Sequence, residues 1–240
     1  IKIGGPAVCR YNADWLIPFF EEMKKRNVPM DFYSWHCYSS RVEDFIRDTR
    51  LHRALLDRYG YSESESILNE WNYVCGWSGE GWKKSLATEL SIKGAAFIAA
   101  VATACQHEKL DMLMYYDARI NSTMNGLFRP GTLEVRKGYY PLKIWGEMLS
   151  SDGECETSCD IPDIYAVSAV KDGASVTMIT YYSDDDEALP RTFTVELSGD
   201  VLRTVYLLDS THDMTACETI APDCGSFRLT MQPNTVVVIR

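Results

Sequence analysis

The most informative stretch of the chain reads Ser66-Ile67-Leu68-Asn69-Glu70-Trp71-Asn72-Tyr73. Its apolar start, after the charged residues 62–66, predicts a short buried strand. The strand ends in the carboxylate of Glu70 between two carboxamides, and a buried carboxylate must be paired or neutralised. Barrel enzymes and open α/β sheets place their catalytic groups at the carboxyl ends of parallel strands. The stretch therefore predicts a functional site; the alternative is an Asn/Glu turn that caps the next helix.

Strands and helices alternate through the first 150 residues. The apolar patterns predict strands at about residues 1–4, 31–36, 66–70 and 111–116, with helices between them. The helix at 86–105 is apolar on nearly all sides, so we expect it to be largely buried. Repeated βαβ units predict a parallel sheet with right-handed crossovers.

The apolar pattern changes from helical to alternating near residue 160. Six short runs are predicted as strands, at 164–170, 176–182, 192–197, 201–208, 227–231 and 235–239. Turn signals such as Lys171-Asp172-Gly173 separate them, which predicts a small antiparallel β-sandwich. The predicted fold class is therefore α/β plus all-β, with domains at 1–150 and 151–240 and a boundary in the polar stretch 150–160.

The net charge of −10 over 240 residues argues against a nucleic-acid partner, because binding phosphates requires clustered Lys and Arg. The longest apolar stretch, 94–105, is too short to cross a bilayer, so no membrane partner is predicted. No signal peptide is visible, and the chain opens on Ile1 rather than Met, which predicts a processed, truncated or partial chain. Localisation is left open between the cytoplasm and secretion.

The eight cysteines and four histidines form no recognisable metal-ligand pattern. Four cysteines in apolar or strand-like settings are predicted to be core thiols: Cys9, Cys37, Cys75 and Cys105. Cys155 could form a disulfide with Cys159, and Cys217 with Cys224. Neither pair has the CxxC spacing of zinc sites. We therefore predict neither a metal nor another cofactor.

The predicted strand ends would meet at one rim. They supply Gly4-Gly5-Pro6, then His36 and Tyr38, then Asn69 to Asn72, then Tyr116 and Asp117. In order and spacing, these motifs resemble the C-terminal half of a clan-A retaining glycoside hydrolase. The resemblance is strongest to the β-xylosidase-like family 39, with the arabinofuranosidase-like family 51 next.

The resemblance covers nearly the whole chain and implies the C-terminal half of a (β/α)8 barrel, strands 5 to 8, followed by a β-sandwich. Strands 5, 6 and 7 correspond to Ile3-Gly4-Gly5-Pro6-Ala7, to residues 28–38, and to Asn69-Glu70-Trp71-Asn72. The tip of strand 8 lies at Asp117. Two later segments resemble the connection to the sandwich, Gly126-Leu127-Phe128 and Lys137-Gly138-Tyr139-Tyr140-Pro141-Leu142-Lys143.

By that resemblance Glu70 is the catalytic nucleophile of a xylosidase- or arabinofuranosidase-like enzyme that acts on plant-type glycosides. Tyr38 would donate a hydrogen bond to Glu70, and His36 would either bond a sugar hydroxyl or orient Tyr38. Trp71 and Tyr116 would offer ring faces to the sugar, with packing as their alternative role. The remaining predicted substrate-binding residues are Asn69, Asn72 and Asp117, of which Asp117 has the alternative role of holding the loop at Arg119.

Retaining glycosidases need a second carboxylic acid about 5 Å from the nucleophile. In this clan that acid follows an Asn on strand 4. If Asn69-Glu70 were that pair, four more βα units should follow, but only one strand precedes the sandwich. Strands 1 to 4 and the acid/base residue are therefore expected to be absent from this chain.

Expected partners are a carbohydrate substrate and either the chain's own N-terminal barrel half or a second copy. A non-catalytic carbohydrate-binding or structural fragment is the alternative function.

Overall fold

The computed structural model describes the chain except for Asp200, Pro222 and Cys224. The helices are α1 Ala13–Lys25, α2 Val42–Tyr59, α3 Gly79–Glu89, α4 Ile92–Gln106 and α5 Tyr139–Leu149. The first strands are β1 Gly4–Val8, β2 Phe32–Tyr38, β3 Glu65–Asn72 and β4 Met112–Tyr115. The later strands are β5 Gly153–Cys155, β6 Ile164–Lys171, β7 Ala174–Tyr181, β8 Arg191–Glu196, β9 Arg203–Leu208, β10 Asp213–Ile220, β11 Ser226–Met231 and β12 Thr235–Ile239.

The first four strands form one parallel sheet in the order β1-β2-β3-β4, which confirms the predicted alternation of strands and helices. The first strand begins at Gly4 rather than near residue 1. A Cβ at Gly4 would lie 2.0 Å from the carbonyl oxygen of Phe32, so only glycine fits where β1 meets β2.

The single helix predicted at 86–105 is instead two helices, α3 and α4, which are bent by 80°. Ser91 caps the second helix by accepting a hydrogen bond from the backbone N–H of Lys93. The helices approach so closely that a Cβ at Gly94 would lie 2.5 Å from the carbonyl oxygen of Thr88. The apolar pattern alone did not show this break, because the break contains neither proline nor glycine and Leu90 and Ile92 flank the capping Ser91.

Helix α4 is buried on almost every side, as its composition predicts. Its residues belong to the larger of two apolar clusters, which includes side chains of both the parallel sheet and the later strands. Phe97, for example, lies edge-on to Tyr73 after β3 and to Tyr182 after β7, with ring centroids 5.4 and 5.3 Å apart. One apolar core therefore joins the α/β segment to the β-rich segment.

The β-rich segment consists of two antiparallel sheets. The larger has the order β10-β9-β12-β7-β6-β5, and the smaller pairs β11 with β8. A second apolar cluster lies between them, with Ile179, Val195, Leu229 and Val237 among its members. The predicted antiparallel pairing is confirmed, and the structure adds β5 and β10 to the six predicted strands. Strand β10 is mostly exposed and lacks a long apolar alternation, so its residue pattern does not predict a strand.

The cysteine predictions are partly corrected. Cys37 and Cys105 are buried as predicted, whereas Cys9 and Cys75 are exposed because they lie in loops at the rim of the parallel sheet. Cys155 and Cys159 are free thiols in the structure. The bridge considered between Cys217 and Cys224 falls outside the described residues.

Within the part of the chain that the structure describes, no single helix has the length and apolar composition of a membrane span. Taken together, the bent pair α3 and α4 does have that length and composition.

The loop after β7 is anchored to the α/β segment by polar contacts. Tyr73 donates a hydrogen bond from its hydroxyl to Asp184 (2.7 Å). The ammonium group of Lys93 lies 2.9 Å from carboxylate oxygens of both Asp184 and Asp186. Because only 11% of the Lys93 side chain is exposed, these ion pairs are better shielded from water than an ordinary surface pair.

We expect Lys93→Met to lower the free energy of unfolding by about 1–3 kcal/mol, because two carboxylates lose their shared partner. The measurement is urea unfolding followed by circular dichroism. Lys83→Met is the matched control, since 73% of that side chain is exposed in its pair with Glu80, and its midpoint should stay near that of the unmodified chain. Equal midpoints for the two variants would show that the Lys93 contacts do not stabilise the fold.

Candidate active site

Glu70, His36 and Tyr38 meet at the carboxyl end of the parallel sheet. The hydroxyl of Tyr38 donates a hydrogen bond to Oε2 of Glu70 (2.9 Å), and Nδ1 of His36 lies 3.3 Å from the same oxygen. Both contacts are made to Oε2, so the lone pairs of Oε1 are left for another partner. About one third of the Glu70 side chain is exposed (34%), so a ligand can reach the carboxylate.

A shift in strand register produces this meeting. Leu68 of β3 pairs with Trp35 of β2, but the next pair joins Glu70 to His36, so Asn69 is an extra residue on β3. Such a β-bulge re-aims the side chains that follow it, and bulges are frequent beside active sites. Oδ1 of Asn69 is buried without a hydrogen-bond partner among the described residues, which leaves an unsatisfied acceptor beside Glu70.

Side chains of strand β2 point alternately into the core and toward the carboxyl-end site. Tyr33 and Trp35 pack on the buried His52 of α2, with ring centroids 5.2 and 4.5 Å away. His36 and Tyr38 alternate with these core residues, so they lie on the other side of the strand. The aromatic core side therefore holds the strand in place while its opposite side presents polar groups to Glu70.

A pocket of about 660 Å³ lies in front of the three residues. Tyr116, Trp77, Met124 and Arg10 contribute to its lining, together with Glu70. Its volume falls within the range of small-molecule sites, about 300–1,000 Å³. The pocket therefore offers a concave, partly aromatic surface beside an accessible carboxylate.

The other carboxylates that line the pocket are already paired. Arg47 forms ion pairs with both Asp44 and Asp48, and Ser39 also donates a hydrogen bond to Asp44 (2.6 Å). Among the described residues, the contacts of Glu70 are instead to the hydroxyl of Tyr38 and to the ring of His36. Across the described residues, no group of three or more His, Cys, Asp or Glu side chains is arranged to hold a metal ion.

No protein-family model matches the chain. Over 42 residues, 18% of the chain and 8% of the relative, it is 39% identical to a β-xylosidase from Geobacillus stearothermophilus. A glucosidase from Croceicoccus marinus superposes on all of the chain with a TM-score of 0.73 at 19% identity. A GH39 enzyme from Xanthomonas axonopodis pv. citri does so with a TM-score of 0.72 at 12% identity.

The chain has the fold of part of a glycoside hydrolase. It spans 60% of the length of each of the two solved enzymes. The predicted resemblance to glycoside hydrolases, family 39 among them, is confirmed at the level of the fold.

Within this glycoside hydrolase fold, Tyr38 is suited to its predicted contact. Burial raises the pKa of its hydroxyl, and the hydrogen bond to Glu70 raises it further. The hydroxyl therefore keeps its proton at neutral pH and acts as the donor in its hydrogen bond to Glu70.

Trp71 does not reach the pocket, which corrects the expectation that it offers a face to a sugar. Its side chain is 1% exposed, and Phe45 and Tyr115 lie edge-on to its ring at 6.0 and 5.5 Å. The bulge at Asn69 places Trp71 on the helix-facing side of the sheet. Its role in the structure is packing, the alternative that the sequence left open.

Asn72 is also a structural residue. It is 1% exposed, and its amide group donates hydrogen bonds to the hydroxyl of Tyr115 and to the backbone oxygens of Tyr116 and Met124. These contacts occupy the side chain that was predicted to bind substrate. They tie the end of β3 to the loop after β4, which carries Tyr116 into the pocket lining.

Asp117 holds its own loop rather than a ligand. It is 4% exposed and accepts hydrogen bonds from the backbone and guanidinium groups of Arg119. Burial alone would raise its pKa, but the hydrogen bonds from Arg119 and Ser122 outweigh that effect and lower the pKa. Tyr116, by contrast, lines the pocket, as a substrate-binding residue must.

Glu89, at the end of α3, is a buried carboxyl group that the sequence did not indicate. It is 1% exposed, and neither of its oxygens has a hydrogen-bond partner among the described residues. Burial raises its pKa to about 8, and the negative charge of Asp117 acts in the same direction. The sequence carries no clear signal for this burial, because Lys83, Lys84 and Lys93 are close to Glu89 along the chain and could have paired with it.

We expect the contribution of Glu89 to the free energy of unfolding to fall as the pH rises from about 4.5 to 8, because Glu89 keeps its proton in the folded state and loses it in the unfolded state. The slope from this group approaches about 1.4 kcal/mol per pH unit. The measurement is the urea midpoint as a function of pH. Glu89→Gln should remove this part of the slope, whereas Glu80→Gln should keep it, because the Glu80 side chain is 88% exposed. Identical pH profiles for both variants would contradict a neutral, buried Glu89.

Proposed function

We propose that the chain is the C-terminal part of a retaining glycoside hydrolase in which Glu70 is the nucleophile. The observation that carries this proposal is the accessible carboxylate at the carboxyl end of a parallel sheet, held at one oxygen by Tyr38 and His36. In this proposal β1 to β4 are strands 5 to 8 of a (β/α)8 barrel, residues 1–150 belong to the catalytic domain, and residues 151–240 form an accessory β-sandwich. The substrates are β-xylosides or arabinofuranosides, in keeping with the name of the curated relative.

The proposed reaction has two steps. Oε1 of Glu70 attacks the anomeric carbon, the glycosidic bond breaks, and a general acid protonates the leaving oxygen. Water, deprotonated by the same group, then attacks the anomeric carbon of the glycosyl-enzyme and releases Glu70 and the sugar with retained configuration. Tyr38 acts throughout as a donor that keeps Glu70 ionised, and His36 bonds a sugar hydroxyl or orients Tyr38.

We further propose that the general acid lies on a segment outside these 240 residues. An acid must hold its proton at neutral pH and lie within hydrogen-bond reach of the leaving oxygen. Asp117 is ionised beside Arg119, and Glu80 is exposed and paired with Lys83. Glu89 keeps its proton but is buried away from the pocket lining. The 60% coverage of both solved enzymes leaves room for such a segment.

To test the nucleophile, the chain is treated with an aryl 2-deoxy-2-fluoro-β-xyloside, whose leaving group needs little protonation. We expect intact-mass and peptide spectra to show one glycosyl unit on Glu70. Glu70→Gln should remain unlabelled at an unchanged unfolding midpoint, because the amide keeps the shape and loses the nucleophilic charge. Glu80→Gln is the control and should be labelled like the unmodified chain.

Labelling of another carboxylate, or of Glu70→Gln, would remove Glu70 from the mechanism. Hydrolysis of an unactivated disaccharide by the 240-residue chain at ordinary enzyme rates would contradict the missing acid, because protonation of the leaving group contributes on the order of 10²–10⁴-fold in rate.

A second candidate function is a non-catalytic carbohydrate-binding or structural fragment of such an enzyme. The paired state of Asp44 and Asp48, the other carboxylates in the described pocket lining, favours it. The two functions differ in the labelling experiment, since a binding module forms no covalent intermediate.

The open parallel sheet supports a proposed association with the chain's own N-terminal barrel half or with a second copy. Strands β1 and β4 are the two edges of the described sheet, and unpaired strand edges promote pairing with another chain. Met112 and Met114 on β4 are 45% and 43% exposed, and Ile3 before β1 is 60% exposed. A second barrel half would cover these edges and side chains.

We expect the chain to sediment as a dimer or larger species at micromolar concentration, because the exposed methionines of β4 gain by leaving water. The paired substitution Met112→Lys and Met114→Lys should shift sedimentation toward the monomer. Leu189→Lys is the control, since Leu189 is 76% exposed in the loop between β7 and β8, outside the parallel sheet. A monomeric unmodified chain would refute the association.

A further inference from the structure

Trp77 is an exposed aromatic residue of the pocket that neither the sequence prediction nor the proposed mechanism uses. It follows β3 by five residues, lines the same pocket as Glu70, and is 61% exposed. An exposed indole in a pocket lining offers an apolar ring surface to a ligand, and aromatic side chains are typical of small-molecule sites. Two sets of contacts show that its position is fixed.

Two aromatic rings contact the indole and leave much of it exposed. The ring of Trp82, on the first turn of α3, stacks on Trp77 with centroids 5.7 Å apart and an interplanar angle of 17°. The ring of Tyr38 meets Trp77 edge-on, with centroids 5.1 Å apart. Tyr38 thus connects Trp77 to the nucleophile, since its hydroxyl contacts Glu70 while its ring contacts the indole.

The backbone of the loop is also fixed. A Cβ at Gly76 would lie 3.0 Å from the Cα of Gly81, so the residues before Trp77 and Trp82 touch directly. The hydroxyl of Ser85, which is fully buried, accepts a hydrogen bond from the backbone N–H of Cys75 and donates to the carbonyl oxygen of Gly81. Trp77 and Trp82 are therefore presented as a pair by a preorganised loop.

We propose that Trp77, supported by Trp82, is the stacking platform for the sugar unit adjacent to the one that reacts at Glu70. The C–H groups on one face of a pyranose form an apolar, slightly positive patch, which suits the negative face of an indole ring. Glu70 contacts the hydroxyl of Tyr38 and Trp77 contacts its ring, so Tyr38 lies between the carboxylate and the indole, and Trp77 is assigned to the neighbouring sugar unit. The ligand class is a β-linked oligosaccharide of two or more pyranose units, and this assignment rests on the proposed function.

The test measures binding of xylose, xylobiose and xylotriose to the 240-residue chain by NMR, through the indole N–H signals of the six tryptophans. We expect xylotriose to shift the Trp77 signal and to bind more tightly than xylose. Trp77→Ala should weaken xylotriose binding by about tenfold or more, since stacking and apolar burial are both lost, and Trp77→Phe should recover part of the loss.

Trp15→Ala is the matched control, because Trp15 is also exposed (48%) and stacked, on Phe19 at 5.1 Å, but lies on α1 outside the pocket lining. It should bind xylotriose like the unmodified chain. Equal xylotriose affinity of Trp77→Ala and the unmodified chain, or no preference for xylotriose over xylose, would overturn the platform.

The labelling of Glu70 by a fluoroxyloside separates the platform from the proposed function. Labelling that persists in Trp77→Ala while xylotriose binding is lost supports the platform. Labelling of the unmodified chain without detectable xylotriose binding overturns the platform and leaves the proposed nucleophile standing. The absence of both labelling and binding overturns both.

Discussion

The structure depends on the burial of α4, a helix with apolar residues on every side. A helix without a polar face must be covered all round, and no single sheet can do that. The parallel sheet and its helices cover one side, and the strands of the larger antiparallel sheet cover another, so Phe97 contacts both Tyr73 and Tyr182. The two segments therefore share a core, and the loop bearing Asp184 is fixed beside the carboxyl end of β3.

That shared core fixes the ends of the parallel strands, where the pocket lies. The bulge at Asn69 aligns Glu70 with His36, and Tyr38 completes the group with a hydrogen bond to the same carboxylate oxygen. Asn72 ties the end of β3 to the loop after β4. The buried Asn72 thereby fixes the loop that carries Tyr116 relative to the strand that carries Glu70.

The carboxyl groups in and near the pocket differ in their interaction partners. Asp44, Asp48 and Asp117 each face a guanidinium group, and their charges are balanced within the fold. Glu89 has no such partner and keeps its proton because it is buried. Among the described carboxylates of the pocket lining, Glu70 is the one whose contacts are to Tyr38 and His36 rather than to a guanidinium group.

The sequence by itself determined the alternation of parallel strands and helices, the later antiparallel strands, and the position of Glu70 at a strand end, because hydrophobic periodicity and turn residues act over a few neighbouring positions. Only the tertiary structure decided which neighbouring side chains reach the pocket. Trp71 and Trp77 are six residues apart and both aromatic, yet one is buried and the other exposed. The difference arises from a one-residue bulge and from packing against Phe45 and Trp82, contacts between elements that a local pattern does not encode.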